Sequence, residues 1–211
     1  PLLIIPDGDL YALPFAALRD SEGRYLIERH ALRVAPSVGT VIELERRAAA
    51  RPPPATLSAL VVGDPTFGDG RSDEGAWAQA LPGARAEARR ISSLLLDGTD
   101  AYEVEIKVAD KAGKAAVVAA MRGCDVLHLA THGEPDAVLL GGATRAEGAL
   151  TMAEVQGLEL RARLVVLSEC DSFRGTLTAD GVIGVTRAFV AAGALTPVAS
   201  LMLQALARGW L

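Results

Sequence analysis

The 211-residue sequence has little of what marks several functional classes. There is no basic surplus. Lys and Arg number 21 against 26 Asp and Glu, a net charge of −5, whereas a duplex nucleic-acid binder carries a basic excess or stripe. The short cluster Arg46, Arg47 and Arg51 reads as the solvated end of a helix, so no direct nucleic-acid binding is expected. Cysteine is scarce: Cys124 and Cys170 are the only two. They cannot make a disulfide framework, and free thiols in a reducing, cytoplasmic setting are expected. Three histidines and two cysteines show no close paired spacing of the zinc kind, so no metal is expected. No apolar run approaches the roughly 20 residues that span a bilayer. "PLLIIPDG" lacks the basic region of a signal peptide, and no membrane association is expected. The chain starts without Met, as a piece of a longer protein or a trimmed one would.

Several catalytic signatures are missing too. "GDPTFGDGRSDEG" is acidic and lacks the Lys-Ser/Thr ending of a phosphate-binding loop. "GGATRAEG" is not a dinucleotide-binding turn after a strand, and no GxSxG elbow occurs. No pair of acidic residues stands out for glycoside hydrolysis.

What is present is apolar bulk. Half of the residues are hydrophobic, enough for one sizeable core, perhaps with a small annex. "LLIIP", "DGD" and "LYALPF" read as a hairpin around Asp7-Gly8. "RYLIERHALRVAPS" reads as two short extended pieces. A helix follows in "SVGTVIELERRAAA", with Ser37 as N-cap, and "RPPPAT" ends it. From Leu57 onward strands and helices alternate. "LSALVV" precedes Gly63-Asp64-Pro65. "LPGARAEARRISSLLLD" follows as an amphipathic helix, with Ala84, Ala88, Ile91, Leu94 and Leu95 on one face. Then come "YEVEIKVA", "DKAGKAAVVAAMRG" and "CDVLHLA". "EPDAVLLGGATRAEG" reads as a flexible segment, like "GDGRSDEGAWAQA" before it and "DSFRGTLTADG" after it. A short helix capped by Thr151, the strand "RARLVVLSEC", the helix "VIGVTRAFVAAGA" stopped at Gly193, the strand "LTPVASL" and a helical tail complete the order. Such alternation predicts a mostly parallel sheet covered by helices on both faces.

Sites in open α/β sheets form outside the carboxyl ends of the strands. Two strands here end on reactive side chains. "DVLHLAT" delivers His132 and "LVVLSE" delivers Cys170, 170 − 132 = 38 residues later. A thiolate nucleophile needs an imidazole to take its proton and return one to the leaving amine. The oxyanion that forms needs N–H donors; Gly133 and Cys170 can offer theirs from the backbone. The blander readings are a loop histidine and a small buried cysteine. Cys124 and His30 read as structural, and His128, deeper in the same strand, as a packing or hydrogen-bonding residue.

These segments together resemble the CHAT domain, a caspase- and separase-like cysteine peptidase module of clan CD. The resemblance rests on "LLIIPDGDLYALPFAAL", "YLIERHALRVAPSV", "LVVGDPTF" with "LPGARAEARRISSLL", "DVLHLATHG", "LVVLSECDS" and "DGVIGVTRAFVAAGA", in that order along nearly the whole chain. It implies a caspase-like three-layer α/β/α sandwich with a mostly parallel central sheet. Residues 1–54 would form the hairpin and helix of a scaffolding part, and residues 55–211 the catalytic part. It implies that His132 is the base and Cys170 the nucleophile, with the Gly133 and Cys170 N–H groups as the oxyanion hole. Asp171 and Asp180 are candidates for the substrate pocket. No cofactor is implied. The implied partners are a protein or peptide substrate and an attached tetratricopeptide-repeat or other sensor domain. One stretch departs: where the family continues Ser-Leu-Trp with an acid soon after, Ser200-Leu201 is followed by "MLQALARGWL". Three functions remain open on the residues: a cysteine endopeptidase, a protease-like interaction module without turnover, and a small-molecule acyltransferase or hydrolase.

Overall fold

The computed structural model describes residues 1–68, 76–97, 100–168, 176–178, 181–183 and 185–199. Contacts divide the chain into two units, Pro1–Pro52 with two short strands from the 176–183 stretch, and the part from Pro53 onward.

The first unit holds β1 (Leu2–Ile4), α1 (Leu26–Arg29), β2 (Leu32–Val34) and α2 (Val38–Ala50). The expected hairpin is not formed. β1 pairs in parallel with β2, Leu2 opposite Leu32 and Ile4 opposite Val34. The chain after Asp7 coils into short 3-10 turns at Gly8–Ala12 and Phe15–Ala17 instead. The reason is local. Leu10 and Leu13 spend their N–H groups on Asp7 and Leu10 carbonyls, and Pro14 has no N–H to give a ladder. The first of the two extended pieces expected at 24–34 is also a helical turn, begun where the Tyr25 N–H donates to Glu28 Oε2 at 2.6 Å. The α2 cap is as expected: Ser37 Oγ accepts from the Thr40 N–H at 3.1 Å.

The second unit is built on β3 (Leu57–Pro65), α3 (Pro82–Leu96), β4 (Tyr102–Ala109), α4 (Lys114–Met121), β5 (Val126–Ala130), β6 (Gly133–Glu134), β7 (Ala137–Leu139), α5 (Arg145–Gly148), β8 (Ala149–Thr151), α6 (Met152–Gln156), β9 (Leu164–Ser168), α7 (Val185–Ala191) and β12 (Thr196–Ala199), with β10 (Thr176–Thr178) and β11 (Gly181–Ile183) as the short pair of the first unit. The main sheet has the order β12-β9-β5-β3-β4 and every pairing in it is parallel. Such a sheet must be covered on both faces. Leu60, Val62, Leu127, Leu129, Val165 and Leu167 point into one layer, where they meet Val117 and Met121 of α4, Val155 of α6 and Phe189 of α7. At about 1.5–3 kcal/mol per fully buried large side chain, this layer is the main source of stability.

α3 covers the other face. It lies so close that a Cβ on Gly63 would stand 2.6 Å from both the Ala84 carbonyl oxygen and Ala88 Cβ. The helix face differs slightly from the expected one. Ala88 and Ser92 are buried while Leu94 is 56% exposed. Ser92 tolerates burial because its hydroxyl donates to the Ala88 carbonyl at 2.9 Å. The result is an α/β/α sandwich with a parallel central sheet, as expected.

The segment 134–148 is not a flexible loop. β6, β7 and β8 form an antiparallel sheet, and Ala137, Val138, Leu139 and Leu140 are all buried. Trp77 fastens it from above. Its Nε1–H donates to the Gly142 carbonyl at 2.9 Å, and Gly148 packs beneath its ring, where a Cβ would come within 2.6 Å. α6 then starts from the expected Thr151 cap, whose Oγ1 accepts from the Glu154 N–H at 3.3 Å.

Candidate active site

His132 stands two residues past the end of β5. The strand "VLHLA" is gripped on both sides by β3 and β9, so its tip is fixed. Thr131 is buried and its hydroxyl donates to the Leu139 carbonyl at 2.5 Å. The His132 carbonyl accepts from the Leu139 N–H at 3.0 Å. The backbone around the histidine is therefore held by β7.

The half-buried ring is held independently. Nε2–H of His132 donates to the main-chain carbonyl of Gln79 at 2.8 Å. A carbonyl can only accept, so the neutral ring carries its proton on Nε2 and keeps a lone pair on Nδ1. Phe67 flanks the ring at a centroid distance of 5.4 Å, and Trp77 packs edge-on against Phe67 at 4.9 Å. Two sides of the imidazole are thus constrained, and among the described residues nothing bonds Nδ1.

Gly133 begins β6, opposite Val138. The Leu139 N–H to His132 carbonyl bond makes Gly133 and Val138 a non-hydrogen-bonded pair of the antiparallel ladder. The ladder therefore does not use the Gly133 N–H, and among the described residues nothing accepts from it. Beside the ring stands a backbone donor without a partner in the sheet.

The strand beside β5 is β9. Val126 lies opposite Leu164 and Ala130 opposite Ser168, a constant offset of 168 − 130 = 38 residues. Cys170, Asp171 and Asp180 lie outside the described residues.

The other candidates lie apart from this corner. His128 is buried on the α3 side of β5, where its Nε2 bonds Glu87 Oε1 at 2.9 Å. Burial holds its pKa below the ordinary value, and Glu87 opposes that only in part. Cys124 is a buried free thiol that donates to the Met121 carbonyl; burial pushes its pKa up to about 11. His30 is exposed and follows α1. Sequence reasoning did not find Gln79, because its contribution is a carbonyl that every residue type has.

A family model of the CHAT domain matches residues 1–203. The chain belongs to the CHAT domain family. Its parallel sheet between two helical layers is the caspase-like architecture of that family. The CHAT domain is also similar to tetratricopeptide repeat protein 28. The human protein is 29% identical over 245 residues, which cover 95% of this chain and 10% of that one. The mouse protein is 29% identical over 238 residues, 92% of this chain and 9% of that one. The CHAT domain thus spans about a tenth of the length of these relatives. No helix among its described residues is long and apolar enough to cross a membrane.

Proposed function

We propose that this CHAT domain is a cysteine endopeptidase in which His132 and Cys170 form the catalytic dyad. The observation that carries the reading is the state of His132. Its Nε2–H is tied to the Gln79 carbonyl, its Nδ1 has no partner among the described residues, and the unladdered Gly133 N–H lies next to it. The neighbouring strand supports the choice of nucleophile. The offset of 38 between β5 and β9 equals the separation of His132 and Cys170 in the sequence, which supports pairing these two residues.

The chemistry follows from these groups. Nδ1 of His132 takes the thiol proton. The thiolate attacks the scissile carbonyl carbon, and the oxyanion is stabilised by the N–H groups of Gly133 and Cys170. The C–N bond breaks as the imidazolium protonates the leaving amine. Water, deprotonated by the same imidazole, then attacks the thioester and releases the acid and the thiol. The Gln79 carbonyl keeps the ring oriented through both half-reactions, the role a third group plays in other nucleophile–base pairs. The substrate is a protein or peptide, and Asp171 and Asp180 are the candidates for its pocket. Relatives named for tetratricopeptide repeats support an attached repeat segment; in this reading that segment is the switch that controls activity, and the setting is cytoplasmic, in a defence or cell-death pathway.

The test is covalent labelling with an electrophilic peptide probe, with and without the attached or partner segment. Cys170 is labelled, Cys170→Ala abolishes the adduct, and His132→Ala slows it by a hundredfold or more, in line with the contribution of a positioned base. If Cys170 stays unlabelled in every activated condition, the chain is a protease-like interaction module instead.

A further inference from the structure

We infer that Asp64 is a positioning residue for His132: it holds the start of α3 so that the Gln79 carbonyl and the Phe67 ring meet the imidazole. The inference rests on the peptidase reading and adds a residue to it. Asp64 is the penultimate residue of β3, at a register shift between Gly63 and Pro65. Its φ is +48°, a left-handed conformation that costs a non-glycine residue on the order of 1 kcal/mol. It is also 2% exposed. A strained, buried carboxylate persists only where its surroundings demand it.

Its surroundings are the first turn of α3. Oδ1 accepts from the Leu81 N–H at 2.6 Å. Oδ2 accepts from Arg85 Nε at 2.7 Å, and the second guanidinium nitrogen lies 2.6 Å away. Leu81 is the N-cap of α3 and has no capping side chain of its own. Asp64 therefore holds the N-cap backbone of α3 from another element and fastens the first turn through two Arg85 nitrogens on one carboxylate oxygen. Gln79 is two residues before that cap, and Phe67 is three residues after Asp64. The two groups that meet the His132 ring, the Gln79 carbonyl at 2.8 Å and the Phe67 ring at 5.4 Å, thus lie two residues from the Leu81 N–H that Asp64 holds and three residues from Asp64 itself. A one-ångström misplacement of such a group costs on the order of a hundredfold in rate.

The experiment compares the wild-type chain with Asp64→Ala, Asp64→Asn and Leu95→Ala, the last a half-buried change far along α3. Two quantities are read. One is the His132 Nε2 proton in the ¹⁵N-histidine-labelled chain, seen as a slowly exchanging resonance coupled to the Gln79 carbonyl. The other is the labelling of Cys170 by the peptide probe, split into saturation constant and maximal rate. Asp64→Ala is expected to lose the Nε2 signal and to lower the maximal rate about ten- to hundredfold, with little change in the saturation constant. Leu95→Ala keeps both while lowering the unfolding midpoint. Asp64→Asn, which retains an acceptor for the Leu81 N–H, falls between them and carries the test if Asp64→Ala does not fold. Retention of the signal and of the rate without the carboxylate overturns the inference. So does an equal loss in Leu95→Ala, or a wild-type chain with no Nε2 signal. Failure of Cys170 to react in the wild type, by contrast, sinks the peptidase reading itself.

Discussion

Ala130 of β5 lies opposite Ser168 of β9 in a parallel ladder, and each is two residues short of a reactive side chain in the sequence. The ladder holds the tips of the two strands in register.

The Gly133 N–H is not part of the β6–β7 ladder. Gly133→Pro removes that donor without breaking a sheet hydrogen bond. Under the proposed peptidase function, the expected result is a fall of about 10²–10³ in the rate of the acylation step with substrate affinity nearly kept. Single-turnover kinetics against a fluorogenic peptide measure it, and the His132 Nε2 resonance checks that the ring has not moved.

Gly63→Ala drives a Cβ to 2.6 Å from the Ala84 carbonyl oxygen and Ala88 Cβ. α3 must shift outward, at about 1–3 kcal/mol. Urea unfolding reports the loss. Adding Ala88→Gly recovers only part of it, since the Ala84 carbonyl is still in the way.

Burial of His128 holds its folded pKa below the ordinary 6.5. The unfolded chain then binds a proton that the folded chain does not, so stability is complete above pH 6.5 and is lost as pH falls from there towards the folded value. Denaturation midpoints of the wild type decline from about pH 6.5 downward. His128→Gln lacks this part of the acid limb, and an identical pH dependence in both chains refutes the assignment.

Cys124 is a buried thiol with a pKa pushed up to about 11. At pH 8 only about one molecule in a thousand carries the thiolate. Iodoacetamide is expected to spare Cys124 in the folded chain and to modify it once urea exposes it, as peptide mass mapping shows. Rapid modification under native conditions contradicts this burial.

Much of the second unit could be read from its residues, because two-sided burial writes itself as apolar runs such as "LSALVV" and "VLHLA". The caps at Ser37 and Thr151 were legible because a hydroxyl before a helix has one favoured use. The first unit was not. The partner of Leu2–Ile4 is Leu32–Val34, and nothing local to Asp7-Gly8 announces a strand so far along the chain. "AVLL" is a strand signal hidden among glycines and charges; Ala137 and Leu139 are covered by Phe67 and Trp77, and Val138 and Leu140 join the main core, partners distant in sequence. On α3, Ser92 is buried and Leu94 exposed, a tertiary choice that periodicity alone gets wrong. In the candidate site, the histidine is visible as a side chain, whereas the Gln79 carbonyl and the unladdered Gly133 N–H are main-chain groups with no letter of their own.

The strand order has one more consequence. β3 is followed by a strand on one side of it, β4, and then by β5 on the other. The chain leaves β3 towards α3 and leaves β5 towards α6 in the opposite layer. The two connections part company at Asp64 and His132, so the meeting of these two residues at neighbouring strand ends is a property of how the polypeptide is threaded, not of their side chains. The residues beyond these strand ends can be exchanged one by one while the path of the backbone stays the same.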